Sequence, residues 1–382
     1  MFKRSVSVLA GAVLLSLLAP AFAQEAMVPV PPNLKVEGVP PIPAALASKI
    51  ALYTEFRPKS VVNWHPVKRE LLVATRAGNT TQLHRLAEPR GQLQQITDFA
   101  EPVRVGSFEP KHGGYIVYSR DTGGSEAAQI YRLDGDGKST LLTDPNLLHA
   151  RGAWSTARDR FVMTSTQLDK TGRRDEVTTE VALMNPAGGA APPGSGVTPA
   201  GSAMQKVASL PGRWGNFHFS KDDRRMVATR SFSNAASELW EIVVATGEKR
   251  RLLPASGESK ARYGDADYSH DGKAVILTTN QDGEFDQLVR YDLATGVIRP
   301  LSSEPHDVDS VSIAKTGGRI ATIVNEGGKG VLHLFDASGK PLPPSLLRAM
   351  PAGLVSALRW HDNGIDLAFI VASARQVSMS IR

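Results

Sequence analysis

The sequence has no cysteine among its 382 residues. Disulfide bonds, thiolate catalysis and cysteine-based metal sites are therefore excluded, and the hydrophobic core alone must stabilise the fold. The chain also lacks a Gly-x-Ser-x-Gly string, the motif that presents a nucleophilic serine on a sharp turn between a strand and a helix. The nearest strings, Gly123-Gly124-Ser125 and Gly194-Ser195-Gly196, do not have that spacing. We therefore assign no catalytic residue.

Metal-ligand patterns are missing as well. None of the nine histidines forms a His-Glu-x-x-His pair. The string Asp134-Gly135-Asp136-Gly137 alternates acids like a calcium loop, but it lacks the further ligands and the terminal glutamate of that motif. A hairpin turn explains it better. We therefore expect neither a metal nor another cofactor.

Long apolar runs are confined to the N-terminus. Lys3 and Arg4 precede an apolar stretch over residues 6–18, and Ala21-Phe22-Ala23 fits the small-x-small pattern of a cleavage site. This pattern predicts a signal peptide over residues 1–23, with an uncleaved anchor as the alternative. The stretch is too short to span a bilayer comfortably, and no other segment approaches the length that a membrane helix needs. We expect a soluble protein, periplasmic or secreted, with no membrane span after cleavage.

Excess charge of one sign is also small. The formal net charge of +6 falls to +4 when Lys3 and Arg4 are removed. The densest basic cluster, Lys249-Arg250-Arg251, lies at a predicted hairpin turn rather than on an extended face. We therefore expect no nucleic-acid partner.

What the chain does contain is a repeat of about 45 residues. Each copy has an aromatic or apolar anchor, and the seven anchors are Trp64, Phe108, Trp154, Phe219, Tyr268, Ile313 and Trp360. Successive anchors are 44, 46, 65, 49, 45 and 47 residues apart. The long interval contains a run of Gly, Pro, Ala and Ser over residues 185–203, which we interpret as a flexible insertion. A period of roughly 40 to 50 residues is typical of a β-propeller.

Within a copy, turn residues separate four short strands. In the fifth copy, Asp271-Gly272-Lys273 marks one hairpin and Ala294-Thr295-Gly296 marks the next. A fourth strand can be placed in six copies, whereas the chain ends at Arg382 before the seventh could have one. The fold class predicted is all-β, a seven-bladed β-propeller with four-stranded blades and an incomplete last blade. Either the N-terminal segment completes that blade or the chain is a truncated form of a longer protein.

The domain organisation follows from these patterns. After the signal peptide, residues 24–56 form a Pro-rich lead-in with a short helix predicted over Ala44 to Phe56, and residues 57–382 form the propeller. His65, His270 and His361 each follow an anchor, so we assign them a repeated structural role. Asp265 and Asp267 lie on a predicted first strand, which in a propeller runs nearest the axis. They are our candidate channel-lining residues.

Several segments of the chain resemble the blades of a known enzyme family. Arg120-Asp121-Thr122-Gly123-Gly124-Ser125-Glu126, followed by Gln129-Ile130-Tyr131-Arg132-Leu133-Asp134, resembles a blade of the prolyl oligopeptidase family of serine peptidases. Trp64-His65-Pro66, the run over 78–85 and the run over 359–364 are also similar to its repeats. The resemblance implies a propeller that restricts access to short peptides, followed by an α/β-hydrolase domain with a Ser-Asp-His triad. No triad residue can be carried over, and no Glu-Glu motif for a substrate amino terminus is evident.

Two functions remain open at this stage. The first is the non-catalytic, substrate-gating propeller of an exported prolyl-oligopeptidase-like serine peptidase, truncated before its hydrolase domain and inactive alone. The second is a freestanding periplasmic propeller, similar to those of TolB-like proteins, that binds a protein or peptide partner. In both, the partner would bind at the propeller face or channel.

Overall fold

The structure is a computed structural model, and it describes residues 26–55, 57–167, 177–187, 204–347, 353–373 and 377–381. The predicted signal peptide and nearly all of the predicted insertion, except residues 185–187, lie outside the described residues. The chain divides into two compact units, Met1–Arg57 and Pro58–Arg382.

The first unit contains one helix, α1 (Ala44–Thr54), where the sequence predicts a helix. Pro43 precedes it with an extended backbone, and the N–H of Glu55 donates to the carbonyl of Ala51 at its end. A proline directly before a helix is well tolerated because the first N–H groups have no partner within the helix. No helix in the described part of the chain is long and apolar enough to cross a membrane.

The second unit is all-β, and its described residues form seven antiparallel sheets, each built from strands that are consecutive in the chain. Sheets one to three consist of β1 (Lys59–Trp64), β2 (Leu71–Ala77), β3 (Thr80–Leu86), β4 (Leu93–Gln95); β5 (Val105–Phe108), β6 (Tyr115–Arg120), β7 (Gln129–Asp134), β8 (Ser139–Leu141); and β9 (Leu147–Trp154), β10 (Phe161–Gln167), β11 (Thr178–Met184), β12 (Met204–Pro211). Sheets four and five consist of β13 (Arg213–Phe219), β14 (Arg225–Ser231), β15 (Ser237–Val243), β16 (Lys249–Leu253); and β17 (Tyr263–Tyr268), β18 (Ala274–Thr279), β19 (Gln287–Asp292), β20 (Ile298–Pro300). Sheets six and seven consist of β21 (Val308–Ile313), β22 (Ile320–Glu326), β23 (Lys329–Phe335); and β24 (Leu354–Trp360), β25 (Leu367–Ala372), β26 (Val377–Ile381).

The prediction of a β-propeller is confirmed, but the prediction of four strands in every blade before the last is wrong. Five sheets have four strands, and the last two have three each among the described residues. In sheet six, where a fourth strand was expected, only an isolated bridge joins Phe335 to Pro341. A proline cannot donate to a strand ladder, and Pro343 and Pro344 follow it within three residues. A one-turn 3-10 helix, Pro344–Leu346, takes the place of further pairing.

The hairpin between the first two strands of a sheet shows why the turn residues recur. In sheet five, the carboxylate of Asp271 accepts the backbone N–H of Lys273 at 3.1 Å and the hydroxyl of Ser269 at 2.5 Å. Gly272 has a φ of +70°, a conformation that glycine adopts without steric cost. These local bonds fix the register, so that the six residues of β18 are all buried.

The first strands of the sheets lie next to one another around the axis. β1 contacts β5 and β24, β13 contacts β9 and β17, and β21 contacts β17 and β24. We call these first strands the inner strands. The ring closes where sheet seven meets sheet one, through an apolar cluster that includes Val61, Leu71, Ala368 and Ile370. Among the described residues, sheet seven consists of β24, β25 and β26 and includes no strand of sheet one, so the ring closes there by side-chain contacts.

The anchor residues connect neighbouring sheets. The indole N–H of Trp64 donates to the carbonyl of Arg359 in the preceding sheet at 2.8 Å, and that of Trp154 donates to the hydroxyl of Ser107 at 2.8 Å. Trp360 makes the same kind of bond to the carbonyl of Ser312 at 3.0 Å. Each tryptophan therefore ends an inner strand and bonds it to the sheet before.

Candidate functional site: the inner-strand cluster

Charged or titratable residues occupy equivalent positions on four inner strands. Residues one and three places before an anchor point to the same side of a strand when the alternation is regular. The residues in these places that carry charge or can gain it are Arg151 on β9, His218 on β13, Asp265 and Asp267 on β17, and Arg359 on β24. We call them the inner-strand cluster. Every member adjoins an irregularity in pairing with the second strand, at 151/154, 215/218, 264/267 or 356/359.

His218 and Asp267 form the closest pair in the cluster. The Nδ1 atom of His218 lies 3.1 Å from Oδ2 of Asp267, and the two side chains expose 39% and 37% of their surface. Burial disfavours the charged imidazolium, but attraction to Asp267 and Asp265 outweighs it and raises the pKa of His218 above its ordinary value of 6.5. Asp267 therefore favours the protonated, hydrogen-bond-donating form of His218.

Asp265 is exposed and connects sheets five and six. Its Oδ2 accepts the backbone N–H of Val311 on the neighbouring inner strand at 3.0 Å. Its φ of +41° falls in the left-handed region, which is uncommon for a residue with a Cβ. Asn216, three places before its anchor on β13, also has a positive φ, of 52°. The irregular backbone therefore sets the direction of these two side chains.

The two arginines of the cluster come from sheets on opposite sides of the ring. Nη1 of Arg151 donates to the carbonyl of Gly152 at 3.1 Å, and Arg359 donates to the carbonyls of Val62 and Leu358 at 3.2 and 2.7 Å. Burial and the positive charge of Arg359 lower the pKa of Arg151 to about 10. Burial also lowers the pKa of Arg359, against the attraction of Asp265. Both guanidinium groups remain charged at neutral pH.

A salt bridge crosses the axis at the end of the inner strands where the anchors lie. Nη1 of Arg158, in the turn after β9, lies 2.9 Å from Oδ2 of Asp362, in the turn after β24. Sheets three and seven are separated by sheets four to six on one side and by sheets one and two on the other, so this bond spans the centre. Arg158 also donates to the carbonyl of Pro110 in the turn of sheet two. We call the Arg158–Asp362 pair the latch.

The same turn of sheet three also contacts sheet four. The backbone N–H groups of Thr156 and Ala157 donate to the carboxylate of Asp223 at 2.6 and 2.8 Å. The hydroxyl of Thr156 donates to the carbonyl of Ser220 at 3.2 Å. One turn therefore connects three other sheets at this end of the ring.

The sequence-based candidates and the structural cluster overlap only in part. Asp265 lies exposed and Asp267 half-buried on β17, the inner strand of sheet five. That they line a channel stays a prediction. The sequence analysis missed Arg151, His218 and Arg359. A signal for two of them was available, since His218 and Arg359, like Asp267, directly precede an anchor.

In the part of the chain that the structure describes, the cluster does not have the side-chain arrangement of a metal site. No group of three or more His, Asp or Glu side chains there is arranged to hold a metal ion. The cluster offers instead two arginines with unused donors, a histidine–aspartate pair and an exposed carboxylate. This arrangement is suited to binding a small molecule that carries charges of both signs.

Comparisons with solved structures identify the fold. A puromycin hydrolase matches with a TM-score of 0.66 and 19% identity, over 85% of this chain and 51% of that one. Prolyl oligopeptidase B from Galerina marginata, bound to a 25-residue macrocyclization substrate, matches with a TM-score of 0.65 and 15% identity, over 88% and 52% of the two chains. The fold is therefore similar to that of about half of these enzymes, in agreement with the resemblance of the blades.

A different kind of enzyme shares the fold over nearly its whole length. An oligogalacturonate lyase from Vibrio parahaemolyticus matches with a TM-score of 0.61 and 10% identity, over 85% of this chain and 90% of that one. No protein-family model matches the sequence, and no curated protein is similar to it. The chain spans about half the length of the peptidase structures. At such low identities the likeness shows the fold alone.

Proposed function

We propose that this chain is the non-catalytic, peptide-gating propeller of an exported prolyl-oligopeptidase-like serine peptidase. The observation that carries the proposal is the latch together with the inner-strand cluster. The Arg158–Asp362 bridge joins sheets three and seven at one end of the inner strands, and under this proposal it narrows the channel while Asp265, Asp267 and the two arginines line it. A narrow, charged channel admits an extended peptide and excludes a folded protein. The match to the prolyl oligopeptidase and puromycin hydrolase folds supports this proposal.

The first experiment compares one peptide sequence in two forms. Binding to the purified chain is measured for a free peptide of about six residues and for the same residues displayed on a surface loop of a folded carrier protein. We expect the free peptide to bind and the displayed one not to, because only the former fits a narrow channel. Hydrolysis of a chromogenic prolyl peptide by the chain is measured alongside, with none expected. Equal binding of both forms, or clear hydrolysis, would contradict the proposal.

The alternative is a freestanding periplasmic propeller, TolB-like, that binds a protein or peptide partner. The observation in its favour is the oligogalacturonate lyase match, since it covers nearly all of a chain that consists of a similar fold. Equal binding of the free and displayed peptides would favour this alternative. Sequencing the genomic DNA beyond the codon for Arg382 provides an independent test. A continuing frame with a Gly-x-Ser-x-Gly motif supports the peptidase, and unrelated DNA supports the freestanding propeller.

Export is the remaining part of the proposal. The basic Lys3-Arg4 pair, the apolar run over 6–18 and Ala21-Phe22-Ala23 support cleavage after Ala23. N-terminal sequencing of the protein recovered from the periplasm of an expressing bacterium should begin at Gln24. Changing Ala21 and Ala23 to bulky residues should leave the full-length precursor. A mature chain that begins at Met1 in the cytoplasm would contradict export.

A further inference from the structure

Arg151 and Arg359 differ from most arginines of the sheets in what they bond. Elsewhere a guanidinium group pairs with a carboxylate, as in Arg85 with Glu70 at 2.7 Å and Arg120 with Glu101 at 3.1 Å. Among the described residues, no carboxylate lies within salt-bridge distance of Arg151 or Arg359. Their bonds go only to backbone carbonyls.

These bonds leave most of the donors unused. A guanidinium group has five N–H donors in a planar fork. Arg151 uses one of these donors and Arg359 uses two. None of the three bonds involves an Nη2 atom. Arg151 is half-buried and Arg359 is exposed, so their unused donors are open to a ligand, and an anion between two positive charges is electrostatically favourable.

The carboxylates near the arginines are already committed. Asp267 is paired with His218, and Asp265 accepts the N–H of Val311. Asp362 at the end of the axis is taken by Arg158. Asp265 attracts Arg359 from outside salt-bridge distance. An anion that bridges the two guanidinium groups would therefore come from a ligand rather than from these three side chains.

We propose that Arg151 and Arg359 form an anion subsite in the channel that binds the C-terminal carboxylate of a peptide. The subsite deepens the proposed function and rests on it, because it requires that peptides enter the channel. A carboxylate matches the guanidinium fork through paired N–H···O bonds. Because only one end of a peptide carries this carboxylate, the subsite would fix the direction in which the peptide lies.

The test measures binding to the full chain by isothermal titration calorimetry with three probes. The first is N-acetylated Ala-Ala-Tyr-Ala-Ala with a free carboxylate, and the second is its C-terminal amide. The third is trigalacturonate, whose carboxylates belong to a sugar acid. We expect the free acid to bind about tenfold or more tightly than the amide, since hydrogen bonds to charged groups contribute at least that much.

The variants are Arg151→Gln and Arg359→Gln, each expected to reduce the affinity for the free acid to that for the amide. Arg299→Gln, at an exposed position on the outermost strand of sheet five, makes the same change in charge and should leave both affinities unchanged. Circular dichroism confirms that each variant is folded. If a glutamine variant does not fold, Arg359→Lys replaces it, and we expect a partial loss because lysine keeps the charge without the planar fork.

The outcomes separate the subsite from the proposed function. Equal binding of acid and amide, unaffected by the variants, would overturn the subsite and leave peptide binding intact. Arginine-dependent binding of trigalacturonate without peptide binding would overturn the peptide assignment and the proposed function together. No binding of any probe would overturn both as well.

Discussion

At the scale of single residues, His218 gives the clearest pH dependence. Because Asp267 and Asp265 raise its folded-state pKa above 6.5, its protonation stabilises the folded chain. That contribution is fully present below pH 6.5 and is lost as the pH rises through the raised folded-state pKa. We therefore expect the stability difference between the wild type and His218→Gln to shrink over this window. Urea unfolding at a series of pH values measures it.

The partner and a control make this prediction specific to the pair. Asp267→Asn removes the nearest negative charge, so the pKa of His218, followed by NMR titration of its ring protons, should fall. His270→Gln makes the same substitution at an exposed position in a turn and controls for the general effect of replacing a histidine. An unchanged pKa in Asp267→Asn would show that the pair does not determine the titration.

At the scale of elements, a glutamine near the start of a third strand holds the connection to the next sheet. The side-chain carbonyl of Gln129 accepts the hydroxyl of Thr143 at 2.8 Å, and its amide donates to the carbonyl of Leu147 at 2.7 Å. Gln82 and Gln287 make corresponding bonds in sheets one and five. This geometry explains the Gln-Ile-Tyr string on which part of the blade resemblance depends.

We expect Gln129→Leu to lower the free energy of unfolding by about 1–3 kcal/mol, because it leaves the buried hydroxyl and the carbonyl without their partner. Gln129 is buried, whereas Gln94 on β4 is exposed, so Gln94→Leu is the matched control and should change stability little. Urea denaturation of the three proteins provides the comparison. Equal stability of Gln129→Leu and wild type would show that water replaces the bonds of Gln129.

The elements also show how far the sequence predicts the structure. The anchors and Asp-Gly turns predict the inner strands and hairpins because both depend on local residues, such as Gly272 with its positive φ. The prediction of a fourth strand in sheet six is wrong, because the prolines after Pro341 prevent further pairing. The charge interaction of Arg359 with Arg151 and the latch could not be predicted, since each involves residues from sheets three and seven. Such contacts depend on how the ring closes, which no local pattern encodes.

At the scale of the whole molecule, the ring is closed by side chains at one seam. Besides the bond of Trp64 to the carbonyl of Arg359, Nε of Arg69 lies 2.9 Å from Asp366, and the ring of Trp64 meets that of His361 edge-on. We expect Trp64→Phe to destabilise the chain by about 1–3 kcal/mol, since a carbonyl loses its donor. Hydrogen exchange should become faster in sheets one and seven.

A second tryptophan provides the control for the seam. Trp154 bonds sheet three to sheet two, so Trp154→Phe should speed exchange there and not at the seam. If both variants loosened all seven sheets equally, the ring would open as one cooperative unit and the first-to-last seam would have no separate role.

The latch connects this closure to the proposed gating. Asp362→Asn removes the charge that holds Arg158 across the axis, so we expect short peptides to associate severalfold faster, as measured by stopped-flow fluorescence. Asp271→Asn changes the charge equally in the turn of sheet five, where Arg290 lies in the same sheet, and should leave the rate unchanged. Arg158 and Asp362 are half-buried, so added salt screens the pair in part and should accelerate the wild type more than Asp362→Asn. If both variants bound peptide at the wild-type rate, peptides would have to enter from the opposite end of the channel, and the bridge would serve stability alone.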